Sequence, residues 1–263
     1  MTAEFLRSTL LDAAGFRHAF FTRRGGYSPA PLDSLDFSGS STGADGLANL
    51  NAAARVLGID AAHLYWVSQV HGREVVVVHG EENRGDVLAR KADVVVASSA
   101  EVASGVKVAD CVPLLVGDRA SGVVAAIHSG WQGTARNVVA AAIAGLRQVS
   151  GHRGEWVAAI GPHIEVCCFE VGEDVAQQLA ACAPERTTVQ RSPGRRPHVD
   201  LRTIVRAQLV AAGVADDAIE DVKGCTKCDA TRFFSYRRDG QRSGRLLAAI
   251  VARAPRIRRE QTS

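Results

Sequence analysis

Eight strand-like runs recur along the chain, several of them continuously apolar: "HAFFT" (18–22), "LYWVSQV" (64–70), "EVVVVH" (74–79), "ADVVVAS" (92–98), "VPLLVGD" (112–118), "GVVAAIH" (122–128), "EWVAAIG" (155–161) and "RLLAAIVAR" (245–253). A strand with one wet face alternates apolar and polar residues, whereas a continuous run needs cover on both faces. Helical patterns separate these runs, at 46–58 ending on Gly58, at 134–149 opened by Thr134, at 172–182, and at 200–213 between Asp200 and Gly213. Glycine just past a helix and Thr or Asp just before one are its ordinary end signals. Interleaved strands and helices predict a single α/β domain, its mixed β-sheet core covered by helices. The 263 residues suffice for one such domain or two small ones. No linker or repeat divides them. The Pro/Gly/Arg segment 192–197 is expected to be an exposed loop, and 254–263 a flexible tail.

The bulk numbers mostly exclude. A net charge of +3 is too small to imply nucleic acid, and the basic clusters "SPGRRPH" and "RAPRIRRE" read as solvated loop and tail. No apolar run approaches a membrane span, and the start "MTAEFLRSTLLDAAGF" lacks the order of a signal peptide. A cytoplasmic protein without membrane or nucleic-acid partners is expected. Its six cysteines (111, 167, 168, 182, 225 and 228) are then expected reduced.

Three strand edges carry a soft or borderline ligand: "VSQVHG" with His71, "VADCVP" with Cys111 and "AIHSGW" with His128. Cys111 opens and His128 closes a hairpin turning through "GDRASG", so antiparallel pairing makes them neighbours. Two imidazoles and a thiolate leave a fourth tetrahedral position open, as in catalytic zinc sites. The same residues have two other readings: a metal-free pair with Cys111 as nucleophile, His128 as base and Asp110 or another acid as orienter, or plain core packing. "CTKC" (225–228) has the spacing of half a zinc ribbon or a redox pair. With no second C-x-x-C to complete a Cys₄ set, it reads as structural thiols beside the site, and the doublet Cys167–Cys168 as packing. Glu170, in the loop with His163 and Glu165, suits either an acid behind a ligand or a helix cap. "FFSYRRDG" (233–240) offers aromatic rings for a planar ligand and arginines for an anion, or simply an exposed turn; "FFTRRGG" adds Arg23.

Taken in order, "FFTRRGGYS", "SQVHG", "KADVVV", "VADCVPLLV", "IHSGWQGT", "IGPHIEVCCFEVG", "DLRTIVRAQL" and "CTKCDATRFFSYRRDGQRSGRLLAAI" resemble the YfiH or laccase-domain family, formerly called multicopper polyphenol oxidases. The resemblance implies a YfiH-like α/β domain of the CNF-like cysteine-hydrolase type, with His71, Cys111 and His128 holding one zinc and forming the catalytic set. It implies phosphorolysis of adenosine, inosine, guanosine or methylthioadenosine to base and ribose 1-phosphate, with deamination of adenosine. The partners are then a nucleoside and phosphate, handled by a monomer or weak homodimer. Arg23, Gln69, Trp131, Arg237 and Arg238 are the candidate substrate or phosphate contacts, and the helix opened by Thr134 offers amides to an anion. Two positions depart from the family pattern: Val108 stands where Thr is common, and Gln132 where Arg or Lys is. A lost cationic contact at 132 costs about 1.5–3 kcal/mol if relatives use it on phosphate. The two alternatives carried by the family are a peptidoglycan-precursor editing amidase and a copper-dependent polyphenol oxidase. The oxidase lacks support in the residues, with one Met, at position 1, and no H-x-H pair. Copper (Cu²⁺) is nonetheless expected to displace zinc in vitro.

Overall fold

The computed structural model describes residues 2–39, 43–151 and 154–255; most of the expected tail, 256–263, lies outside them. Strands run β1 Phe5–Leu6, β2 His18–Phe21, β3 Leu64–Tyr65, β4 Val75–Val78, β5 Val94–Ala97, β6 Ala103–Val108, β7 Val112–Asp118, β8 Val124–Ser129, β9 Trp156–Ile160, β10 Val189–Gln190, β11 His198–Val199, β12 Ile219–Asp221 and β13 Leu246–Val251. Helices are α1 Thr9–Ala13, α2 Ala44–Leu57, α3 Arg84–Ala89, α4 Trp131–Ala135, α5 Val138–Ser150, α6 Glu173–Ala180, α7 Leu201–Ala211 and α8 Tyr236–Asp239. None is long and apolar enough to cross a membrane.

The fold is a single mixed α/β domain, built on two large sheets rather than one. A six-stranded sheet has the order β12-β9-β7-β8-β5-β4, a five-stranded sheet the order β1-β2-β13-β6-β3, and β10-β11 form a small ribbon. Both large sheets are mixed: β4–β5, β9–β12 and β3–β6 pair in parallel, their other neighbours antiparallel. Side chains alternate across a strand, and each face of these strands is claimed. Val95, Leu115, Ala126 and Ala159 of the larger sheet meet Val106, Ala248 and Ile250 of the smaller in one buried layer. The opposite residues, Val94, Leu114, Ile127 and Ala158, pack on Ile143 and Leu146 of α5 and Ile204 of α7. Beyond the smaller sheet, Phe21, Ala103 and Ala249 meet Leu50 and Leu57 of α2. The order is helix, sheet, sheet, helix, and it accounts for the uninterrupted runs: a second sheet, not a second helical layer, covers the inner faces.

Several local expectations shift. The 64–70 run is a strand only over β3, after which Gln69 leaves the ladder and bonds Lys107 through both ends of its amide (2.7 Å each). The helix expected from Thr134 is broken into α4 and α5. Asn137 sits between them at φ 55° and caps α5 by accepting from the Ala140 N–H. Strand β6, "ASGVKV", has no counterpart among the apolar runs, because Ser104, Gly105 and Lys107 dilute its pattern. Gly105 is closely surrounded there: a Cβ would lie 3.2 Å from the Leu247 Cδ1 methyl, which would have to shift by a few tenths of an ångström, and 3.4 Å from the Tyr65 carbonyl.

Candidate active site

The hairpin β7–β8 forms with Pro113 opposite His128 and Val112 opposite Ser129. Cys111, one residue before β7, is therefore diagonal to His128 rather than directly across, still within side-chain reach. His71 arrives from the loop between β3 and β4. One ligand atom each from His71, Cys111 and His128 fall within 4.8 Å of one another. Cys111 Sγ lies 3.8 Å from His71 Nε2, and the two imidazoles meet edge-to-face, centroids 4.9 Å apart. Gly130 makes room for them, since a Cβ there would stand 2.4 Å from the His71 ring.

The residue that organises the trio is Asp93, fully buried at the start of β5. One of its oxygens accepts from His128 Nδ1 at 2.7 Å and from the His71 N–H at 2.9 Å; the other accepts from Gly72 N at 2.6 Å and Val70 N at 3.3 Å. This pins the left-handed backbone of His71 (φ 58°) and turns His128 so that Nε2 faces the cleft. Burial opposes ionisation of Asp93, but these donors outweigh it and hold its carboxyl below the usual range. Asp110, the alternative orienter, points elsewhere: it accepts from the Thr226 hydroxyl and the Arg237 N–H, both at 2.6 Å, and leaves His128 to Asp93.

Burial by itself would raise the Cys111 thiol, yet His128 and His71 bring it down to about 6. Burial likewise disfavours a charged His128, while Cys111 and Asp93 hold it up at about 9. The two shifts share one cause, each group favouring the charged form of the other. Thiolate and neutral imidazole are the forms in which such residues bind a metal. The donor set, the carboxylate behind His128 and the open side toward solvent fit a three-ligand ion such as zinc.

The trio opens onto a cleft of about 1000 Å³ whose apolar wall includes Val108, Trp131, Ile164 and Phe169. Lys107, Arg237, Arg242 and Arg245 supply its positive rim. Burial, then the neighbouring Arg245, pushes the Lys107 ammonium below the ordinary lysine range. Of the residues expected to touch substrate, Gln69, Trp131 and Arg237 line this cleft. Arg23 and Arg238 do not. The Arg23 guanidinium donates to the carbonyls of Asp33, Ala230 and Pro31, and that of Arg238 to Thr226, Lys227, Phe233 and Asp239. Gln132 also lies off the lining. Helix α4 has only five residues, and Thr134 is buried within it with its hydroxyl on the Gly130 carbonyl, so it presents no anion-binding helix start. Glu170 pairs with His198 (3.9 Å) and is not among the residues lining the cleft. Finally, the doublet Cys167–Cys168 supplies the second thiol pair that "CTKC" lacks in sequence.

A family described as "Multi-copper polyphenol oxidoreductase laccase" matches residues 17–253. The chain belongs to that family. It is 38% identical over 240 residues to "Purine nucleoside phosphorylase ORF3" of Streptomyces griseus, covering 90% of this chain and 94% of that one. It is 35% identical over 204 residues to "Adenosine deaminase RL5" of an unknown prokaryotic organism, covering 75% and 78%. The crystal structure of YlmD from Geobacillus stearothermophilus superposes with a TM-score of 0.85 at 29% identity, covering 96% of this chain and 97% of that chain.

Proposed function

We propose that the cleft binds a purine nucleoside with inorganic phosphate and cleaves the glycosidic bond to free base and ribose 1-phosphate, and that it also deaminates adenosine. The observation that carries this reading is a three-ligand donor set opening onto a cleft with aromatic walls and four cations on its rim. The names of the relatives support the class of reaction, and the cleft is of a size that holds a small ligand with several polar anchors.

His71, Cys111 and His128 would hold the ion, zinc in the first place. Bound there, it supplies Lewis acidity at the mouth of the cleft. Asp93 keeps the proton on His128 Nδ1 and fixes the ring, so Nε2 stays aimed at Cys111. Trp131 and Phe169 offer faces for a planar base. Lys107, Arg237, Arg242 and Arg245 receive phosphate, and an arriving dianion relieves the repulsion between Lys107 and Arg245. Val108 lines the cleft near Cys111 and brings no hydroxyl to it. Copper suits the same nitrogen and sulfur donors, but one methionine, at position 1, leaves an electron-transfer copper centre without its usual axial ligand.

The test incubates pure protein with adenosine, inosine, guanosine and methylthioadenosine, with and without phosphate. Phosphate-dependent release of base, and inosine from adenosine without phosphate, are expected, both lost in His71→Ala. Product equal to that of His71→Ala on every nucleoside would sink the reading.

A further inference from the structure

Behind the cleft, outside its lining, four cysteines from two distant segments meet. Cys167 and Cys168 come from the loop that follows β9, Cys225 and Cys228 from the loop that follows β12. The Cys167 sulfur lies 3.7 Å from Cys168, 3.8 Å from Cys225 and 3.7 Å from Cys228, and Cys168 lies 3.3 Å from Cys228. All four sulfurs fall within 4.8 Å of one another, and all are free thiols. An ion about 2.3 Å from each of four tetrahedral sulfurs holds them about 3.8 Å apart. The pairs are therefore already near the separation that one zinc-sized ion imposes.

We propose that Cys167, Cys168, Cys225 and Cys228 form a second metal site, a closed tetrathiolate for zinc or a similar borderline-soft divalent cation. It differs in kind from the His71–Cys111–His128 set: four protein ligands leave no position for substrate, the arrangement of structural zinc. Cys167 and Cys228 are exposed, which gives the ion a way in. Each thiol releases its proton to solvent as its sulfur takes the ion, so four S–H bonds are exchanged for four metal–sulfur bonds and no oxidant is needed. The excess negative charge meets Lys227, within the C-x-x-C loop, and Arg238, whose guanidinium donates to the Thr226 and Lys227 carbonyls.

The site's purpose follows from its neighbours. Thr226, between two of the ligands, is buried and donates to Asp110 at 2.6 Å, immediately before Cys111. The backbones of the two loops are stitched by His163 N to Gly224 O and Thr226 N to His163 O. Phe169, next to Cys168, walls the cleft, and Arg237 reaches it from α8. An ion joining the loops thus braces the wall of the cleft from behind without touching substrate.

The experiment counts zinc in protein produced with zinc and purified in reductant without chelator. The wild type is expected to carry about two zinc per chain. A Cys167→Ser/Cys228→Ser variant should carry about half that, and so should His71→Ala/His128→Ala, each keeping the other site. A wild type with one zinc, lost in the histidine variant and kept in the cysteine variant, overturns the proposal. One zinc lost only in the cysteine variant supports it and removes metal from the cleft instead. Should the cysteine variant not fold, alkylation of native wild type decides. Zinc-replete protein must shield Cys167, Cys168, Cys225 and Cys228 relative to chelator-treated protein. Equal labelling, or two disulfides under the reducing preparation, overturns the proposal.

Discussion

At the scale of single residues, the carboxylate of Asp93 joins His71 and His128. It holds three consecutive amides of the His71 loop and the back of the His128 ring from a position without solvent access. Asp93→Asn keeps the shape but adds an amide N–H where donors already point. Metal affinity should fall about 10–100-fold, as for other residues that orient metal ligands, measured by competition with a chromophoric chelator. Lys107→Met, which keeps the stem and removes the charge, should raise the KM for phosphate about tenfold or more, from a lost charged contact of about 1.5–3 kcal/mol. Deamination needs no phosphate and should change little; equal damage to both reactions would show that Lys107 only shapes the fold. The trio was legible in sequence because His71, Cys111 and His128 each interrupt or bound an apolar run, and the fold brings one ligand-type atom of each within 4.8 Å of the others. Asp93 and Lys107 were not. Asp93 stands at the edge of the run "ADVVVAS" with no local sign of the histidines it faces, and Lys107 lies in a strand too diluted to be picked out at all.

At the scale of elements, the β7–β8 hairpin sets the distance between Cys111 and His128, and its turn hangs on Asp118. That buried carboxylate accepts from the amides of Ala120, Ser121 and Glu155 and from the Ser121 hydroxyl. Burial works against the charge, but these donors win and depress its pKa. A depressed folded-state value means the carboxylate stabilises fully above its unfolded value, about 4, and that this contribution fades as pH falls toward the folded value. Asp118→Asn should therefore cost about 1–3 kcal/mol at pH 7, by urea unfolding, and progressively less below pH ~4. A deficit that does not shrink on acidification would contradict this account. The sequence announced the hairpin and the ends of α2 and α7 through local signals. Gly58 takes a left-handed φ of 66°, and Asp200 accepts from the Thr203 N–H. It missed the break at Asn137, although Asn is a favoured N-cap and tolerates a left-handed φ, because Thr134 offered a competing cap to one longer helix.

At the scale of the whole molecule, the continuous apolar runs specified cover on both faces but not what provides it. Strand β7 alternates toward two different partners, with Leu114 against the helices and Leu115 against the other sheet. No residue chemistry separates these layers, since both are filled by Val, Ala, Ile and Leu. That is why a single sheet was expected. Leu115→Ala should cost about 2–5 kcal/mol and lower the melting temperature without changing metal content at 25 °C. Loss of metal at a temperature where the fold persists would mean that the sheet interface and the site are less rigidly joined than described.

His71, Cys111 and His128 come from three places in the chain and become neighbours only when the hairpin is formed and the β3–β4 loop is tied to Asp93. The unfolded chain never assembles these three donors and keeps only local thiol pairs, "CTKC" and the Cys167–Cys168 doublet, so an ion held more tightly by the folded site opposes unfolding by mass action, at most about 4 kcal/mol at a thousandfold excess over Kd. The melting point of a preparation is then a gauge of its metal occupancy. Batches that differ in activity should line up along it, and added zinc should move the lagging ones.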